Sequence, residues 1–113
     1  MDAISFIELP THNLATSQRF FQNVFGMHMT AYGPSYACTT SGNVNLGLQA
    51  DPEETTNAVL VVFEVDDLDA TQLAIVAAGA TITKPIFGFP GGRRFHFKDP
   101  SNNELAAMQV NKP

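Results

Sequence analysis

Few residues in this 113-residue chain are equipped for chemistry. They are His12, His28 and His96, the lone Cys38, the carboxylates Glu8 and Glu64 set within apolar runs, and the pair Arg93-Arg94. The histidines form no HxH or HxxxH pair, so no local metal motif exists. No Ser-His-Asp or Cys-His grouping can be assembled from spacing. Cys38 has no neighbouring base in sequence and reads as a quiet buried thiol. The segment Gly88-Phe-Pro-Gly-Gly92 lacks the Lys-Ser/Thr ending and the following helix of a phosphate loop. The most pointed pattern is Arg93-Arg94-Phe95-His96-Phe97. In a strand, alternation puts Arg94 and His96 on one face and Phe95 and Phe97 on the other. By the same rule Glu8 shares a face with Phe6 and Pro10.

The elements that must position these residues form an internal repeat of 54 residues, with Leu14 set against Leu68. Each copy runs from an apolar strand (Ile4 to Leu9; Val59 to Val65) through polar residues into a helix that ends at Gly26 or Gly79. Asn13 and Asp67 are the expected N-caps. Phe21, Val24 and Phe25, broadened by Phe20, make the apolar face of the first helix. Strand-like segments follow each helix: Met27 to Tyr32, Tyr36 to Thr40 and Val44 to Gln49, then Thr81 to Thr83, Arg93 to Lys98 and Leu105 to Val110. Residues 51–57, acidic and containing Pro52, read as the linker between module one (1–50) and module two (58–113). The expected fold is α+β, with two tandem βαβββ modules forming curved mixed sheets around a cleft within a single domain. Gly88 to Gly92 reads as a lid or strand connection beside that cleft, with Phe87 and Phe89 on its inner side. Tyr32 and Tyr36 flank a turn and read as packing residues or as a stacking surface.

Composition narrows the function. Apolar residues make up 44% and charged residues 15% of the chain, which fits a compact globule rather than disorder. A net charge of −5 disfavours a phosphate-backbone partner, so nucleic acid is not expected. The longest apolar run, Ala58 to Phe63, is far short of the roughly 20 residues that span a bilayer, and no membrane association is expected. The opening Met1-Asp2-Ala3-Ile4 lacks a signal-peptide pattern, and one cysteine makes no internal disulfide. Both point to the cytoplasm. Five of the six basic residues lie in the last third of the chain, and the field near Arg93 and Arg94 suits an anionic small molecule.

Four phrases in order give the chain a family resemblance: Leu14-Ala-Thr-Ser-Gln-Arg-Phe-Phe-Gln-Asn-Val-Phe-Gly26, Val65-Asp-Asp-Leu-Asp-Ala, Ala77-Ala-Gly-Ala-Thr-Ile-Thr-Lys-Pro85 and Phe95-His-Phe-Lys-Asp-Pro-Ser-Asn-Asn-Glu-Leu105. Together they resemble the vicinal oxygen chelate superfamily of glyoxalase I, the bleomycin resistance proteins and the extradiol dioxygenases. The turn departs from the family's Asp-Pro-Asp/Glu-Gly-Asn, with Asn102 standing where glycine would take a positive φ. The resemblance implies a divalent metal held by His, Glu or Gln from four strands. Carried over, those positions are Phe6, Gly47, Leu60 and Ala106, none of which has a side-chain donor. No metal and no other cofactor is therefore expected.

The leading expectation is a small-molecule-binding member of this type, without a metal. Phe6, Glu8, Leu60, Arg94 and His96 would line the cleft, and the ligand would be partly apolar with an acidic group. Glu8 and Arg94 equally suit a structural pair across the sheet. The alternative is a glyoxalase-like lyase or dioxygenase-like enzyme using a nonstandard metal site built on Glu8 and His96, or metal-free acid–base chemistry. A third reading is a non-catalytic interaction subunit. Apolar sheet edges and the resemblance both imply a homodimer.

Overall fold

The computed structural model describes residues 3–112; Met1, Asp2 and Pro113, and with them the first two residues of the expected leaderless start, lie outside the described residues. The elements run β1 (Ala3–Pro10), α1 (Leu14–Phe25), β2 (Thr30–Ala31), β3 (Tyr36–Cys38), β4 (Asn45–Gln49), β5 (Leu60–Glu64), α2 (Leu68–Ala77), β6 (Thr81–Phe89), β7 (Gly92–Lys98) and β8 (Glu104–Val110). This is the βαβββ order twice over. The strands of the first module are ordered β2-β3-β4-β1, those of the second β5-β8-β7-β6. In each, the opening strand runs parallel to the last strand and the other pairings are antiparallel. The chain divides into two compact units, one of residues 6–60 and one joining residues 3–5 to those from 61 onward. No helix among the described residues is long and apolar enough to cross a membrane.

The helix boundaries follow from their caps. The Asn13 carboxamide accepts from Thr16 N–H at 3.0 Å, and the Asp67 carboxylate accepts from Ala70 N–H at 3.0 Å. Gly26 closes α1 at φ 66°, its N–H donating to the Gln22 carbonyl at 3.0 Å. The last hairpin is tied by Asp99, whose carboxylate accepts from the N–H groups of Ser101 and Asn103, while Asn102 takes φ 69° in the place of the family's glycine.

The core of the second unit gathers Val65, Leu68, Phe95, Phe97 and Ala107, with Phe63, Ile75, Ile82, Ile86 and Leu105 packed against it. Phe95 and Phe97 therefore lie on the α2 side of the sheet, as alternation requires. The Gln109 side-chain oxygen also accepts the Leu68 N–H at 2.8 Å, tying the start of α2 to β8. An apolar cavity of about 120 Å³ remains under the helix, between Phe63, Val65, Thr71, Ile75, Phe97 and Ala107.

Three local expectations are corrected. The strand expected from Met27 shrinks to Thr30–Ala31, leaving His28 in irregular chain. No residue of α1 is buried, and Phe20, Val24 and Phe25 are exposed. The short β2 and β3, two and three residues long, offer a 12-residue helix little sheet to cover. Of the two readings of segment 88–92, the strand connection holds and the lid does not: β6 continues to Phe89, Gly91 turns at φ 105°, and β7 begins at Gly92 opposite Phe89. A side chain at Gly92 would strike the Gln109 carbonyl, so this end of the hairpin is packed down onto β8.

Candidate functional site

In the first module β1 and β4 run side by side with Glu8 opposite Gly47, and β3 sets Cys38 against Gly47 from the other side. Paired residues share a face, so Glu8, Gly47, Cys38 and, two residues along, Tyr36 and Phe6 stand together. Glu8 is 5% exposed and accepts from the Tyr36 hydroxyl at 3.3 Å. The phenol lies directly over Gly47. A Cβ there would run into the hydroxyl oxygen and stand 3.1 Å from the ring's Cζ and 3.5 Å from Glu8 Cγ. Gly47 is thus the residue that lets Tyr36 reach Glu8. Burial, and then the negative charge of Glu8, push the Cys38 thiol up from its ordinary pKa, which suppresses the nucleophilic thiolate.

In the second module the face opposite α2 carries the basic residues. Arg94 stands between Met108 and Phe87, and His96 between Ala106 and Lys84. On β5, Val62 pairs with Ala106 and Glu64 with Met108, which sets both on this face; Glu64 also accepts from the Ser5 hydroxyl at 3.3 Å. Arg93 leaves on the α2 side and reaches Asp69 at 3.2 Å in a surface ion pair. Lys84 Nζ lies 4.7 Å and Arg94 Cζ 5.5 Å from the centre of the Phe87 ring, within cation–π range. Phe89 receives Arg94 at 6.0 Å.

His96 is 2% exposed, and its Nδ1 stands 3.2 Å from a Glu104 carboxylate oxygen. A carboxylate only accepts, so Nδ1 carries the proton and a neutral ring leaves a lone pair on Nε2. Nε2 is buried and meets no hydrogen-bond partner among the described residues. Burial first, then the Arg94 charge, lower the His96 pKa from 6.5, with Lys84 adding to them and Glu104 opposing. The ring is therefore neutral near pH 7.

Strand β6 is bent to serve this face. Its register against β7 slips twice, between Ile82 and Lys84 and between Lys84 and Phe87. Strict alternation from Ile82, which packs toward α2, would send Lys84 the same way. The first irregularity instead turns Lys84 toward His96, as a β-bulge does when it re-aims a side chain, and the second restores the alternation so that Phe87 faces Arg94 while Ile86 packs with Ile82.

Of the residues expected to line a site, Glu8 and Phe6 share the face that Tyr36 covers, and Arg94 and His96 share the basic face. Leu60 opens β5 and is buried. Lys84 and Glu104 are not signalled by the sequence as ligand contacts, whereas Tyr36 reads as packing or a stacking surface and Phe87 as lining the inner side of the 88–92 segment. Glu104 was within reach of sequence reasoning, because the Asp99–Asn103 turn sets Lys98 opposite Glu104 and so places Glu104 diagonally from His96. The residues at the family's ligand positions, Phe6, Gly47, Leu60 and Ala106, do not fit a divalent metal. Among the described residues no three His, Cys, Asp or Glu side chains stand close enough to hold one.

The model of the glyoxalase/bleomycin resistance protein/dioxygenase superfamily matches residues 3–107. The chain belongs to that superfamily. No curated protein matches the sequence. Among solved structures, a Legionella pneumophila protein described as an NAD-dependent benzaldehyde dehydrogenase superposes with TM-score 0.77 at 19% identity, covering 98% of this chain and 100% of that one. A Mycobacterium tuberculosis methylmalonyl-CoA epimerase gives 0.76 at 11% identity over 96% of this chain and 88% of that one. A superfamily member from Vibrio splendidus 12B01 gives 0.70 at 18% identity over 98% and 100%. At these identities the likeness is one of fold, and the superfamily's chemistry must be judged residue by residue.

Two measurements check the site geometry. Gly47→Ala should destabilise this superfamily member by about 1–3 kcal/mol through overpacking against Tyr36, and Tyr36→Phe in the same chain should recover part of that loss. Additive effects in denaturant unfolding would mean the phenol does not occupy the space over Gly47. His96 gives a pH signature. Its folded pKa is lowered below the unfolded 6.5, so the unfolded chain binds more protons between those values. Stability from this residue is full above that window and declines as pH falls through it. Urea midpoints measured at about pH 7.5 and about pH 5.5 should fall less for His96→Gln than for the natural chain. Equal falls would mean His96 is not held neutral.

Proposed function

We propose that the chain binds a small, partly apolar anionic molecule on the Lys84, Phe87, Arg94 and His96 face of its second module, without a metal, after the manner of the bleomycin resistance proteins in its superfamily. The observation that carries this reading is the pair of cations on one aromatic ring, where an irregularity in β6 brings Lys84 to the face that Arg94 and Phe87 share. A bulge forfeits regular ladder bonding, so this one argues for a purpose served by the side chain it turns. Phe87 and Phe89 offer an apolar surface, and Arg94 grips a carboxylate through parallel hydrogen bonds. The ordinary metal positions support the metal-free part of the reading, since Tyr36 covers Gly47 and the other three positions have no donor atom. A second reading, metal-free acid–base chemistry, is favoured by the Glu104-held His96 ring alone. A single buried cysteine suits a cytoplasmic setting.

The test is binding of 3-phenylpropionate, followed by calorimetry or ligand-observed NMR. Arg94→Ala should weaken it by ~2 kcal/mol, in the range for losing a charge-assisted hydrogen bond, while Arg93→Ala should leave it nearly unchanged. Equal losses in the two variants would refute the placement. Elemental analysis should find no stoichiometric Zn, Ni, Fe or Mn, and added divalent metals should elicit no isomerisation of the methylglyoxal–glutathione adduct. Metal-dependent turnover would overturn both metal-free readings.

We propose further that the chain works as a homodimer. The exposed Phe20, Val24 and Phe25 of α1 form a face that a second copy would cover. Light scattering at micromolar concentration should give twice the chain mass, and a clean monomer would reject the dimer.

A further inference from the structure

The His96 imidazole is fixed in one tautomer and buried with one end unanswered. Glu104 holds Nδ1–H, so Nε2 faces the basic side of the sheet as an acceptor that no described residue satisfies. A buried acceptor left without a donor is destabilising, and native proteins rarely keep one without a use. Three groups converge on the same ring: Arg94 at 5.5 Å, Lys84 at 4.7 Å and the His96 ring at 6.0 Å, all measured to the centre of Phe87. A cationic group that takes a carboxylate and a neutral acceptor that takes a hydrogen thus stand beside one aromatic surface. We infer that His96 Nε2 accepts a hydrogen bond from the ligand, so that this face selects carboxylic acids carrying an O–H or N–H next to the carboxylate, with an apolar body against Phe87 and Phe89.

This inference rests on the proposed binding of an anion at the same face and adds its selectivity. The position of Phe87 makes Nε2 reachable. β6 is the last strand in the order of its module, and Phe87 follows a slip in the ladder. Its ring stands 6.0 Å from the His96 ring, and on this reading an incoming ligand takes the place of the ring edge. Protonated imidazole would be useless for this role because it has no lone pair, and the positive neighbours Arg94 and Lys84 work against that form. Glu104 is a positioning residue here. It decides which nitrogen keeps the lone pair.

The experiment compares 3-phenyllactate with 3-phenylpropionate, two acids that differ by one hydroxyl, on the full chain at neutral pH. The natural chain should bind phenyllactate about tenfold more tightly, the scale of one hydrogen bond to a buried acceptor. In His96→Phe the two acids should bind alike. Should that variant fold poorly, Glu104→Gln provides the second arm. A glutamine can donate to Nδ1 and drive the proton to Nε2, so the preference should vanish while binding of both acids persists. Imidazole ¹⁵N shifts should report an unprotonated Nε2 in the natural chain and a protonated one in Glu104→Gln. Equal binding of the two acids by the natural chain would overturn the role of His96 and leave the anion site standing. A preference that survives in His96→Phe would overturn it too, marking Nε2 as the seat of a water only. Binding of neither acid would overturn the anion site itself.

Discussion

Phe95 is the residue on which the second module depends. It is 0% exposed, in the middle of β7, packed with Phe97, Leu68, Val65 and Ala107 beneath α2. A buried phenylalanine is worth several kcal/mol, and a shift of one residue in β7 would exchange it for a guanidinium or an imidazole. That penalty fixes the register, and the register fixes everything on the other face. Arg94 and His96 point away from the helix because the residues between them cannot. The Gln109 bond to the Leu68 N–H holds α2 over this core, so the helix that covers Phe95 is itself pinned to the neighbouring strand.

The two modules share a topology and differ in the sign of their chemistry. The first sets a carboxylate, a phenol and a thiol around Gly47. The second sets two cations and a neutral imidazole around Phe87. The topology does not make the difference, since the strand orders and pairings correspond one to one. It comes from which residues stand at the alternate positions, and in β6 from the two slips. A lysine introduced on a regular strand would have followed Ile82 toward the core and been excluded from it by the cost of burying an ammonium. The first slip turns Lys84 away at the loss of some ladder hydrogen bonds.

Much of this architecture was legible in the sequence, because it rests on local rules. The helix caps, the repeat, the asparagine at positive φ and the alternation in β7 are each decided by residues close together in the chain. What was not legible depends on pairing. The slips in β6 arise between strands, and nothing within Thr81 to Phe89 announces where alternation breaks, although Pro85 marks the neighbourhood. The Gly88 to Gly92 segment reads as a lid or a strand connection for the same reason: glycines and a proline signal irregularity, and the pairing of β6 with β7 decides for the connection. Tyr36 reads as packing or as a stacking surface and not as a hydrogen-bond donor, since its partner Glu8 lies 28 residues away in sequence. The apolar face of α1 was readable, but the two short strands that fail to cover it were not.

The Tyr36–Glu8 contact changes what the missing metal ligands mean. Four apolar or side-chain-free residues at ligand positions could be read as a site that decayed, ready to be restored by four substitutions. The space over Gly47 argues otherwise, because it is filled. A glutamate at position 47 would have to displace a phenol that bonds Glu8, and would then bring a second carboxylate beside a buried one. Gly47 and Tyr36 are therefore two halves of one arrangement, a small residue and the large side chain that uses its room. At Gly47, where the resemblance implies a metal ligand, the first module holds a hydrogen-bonded phenol.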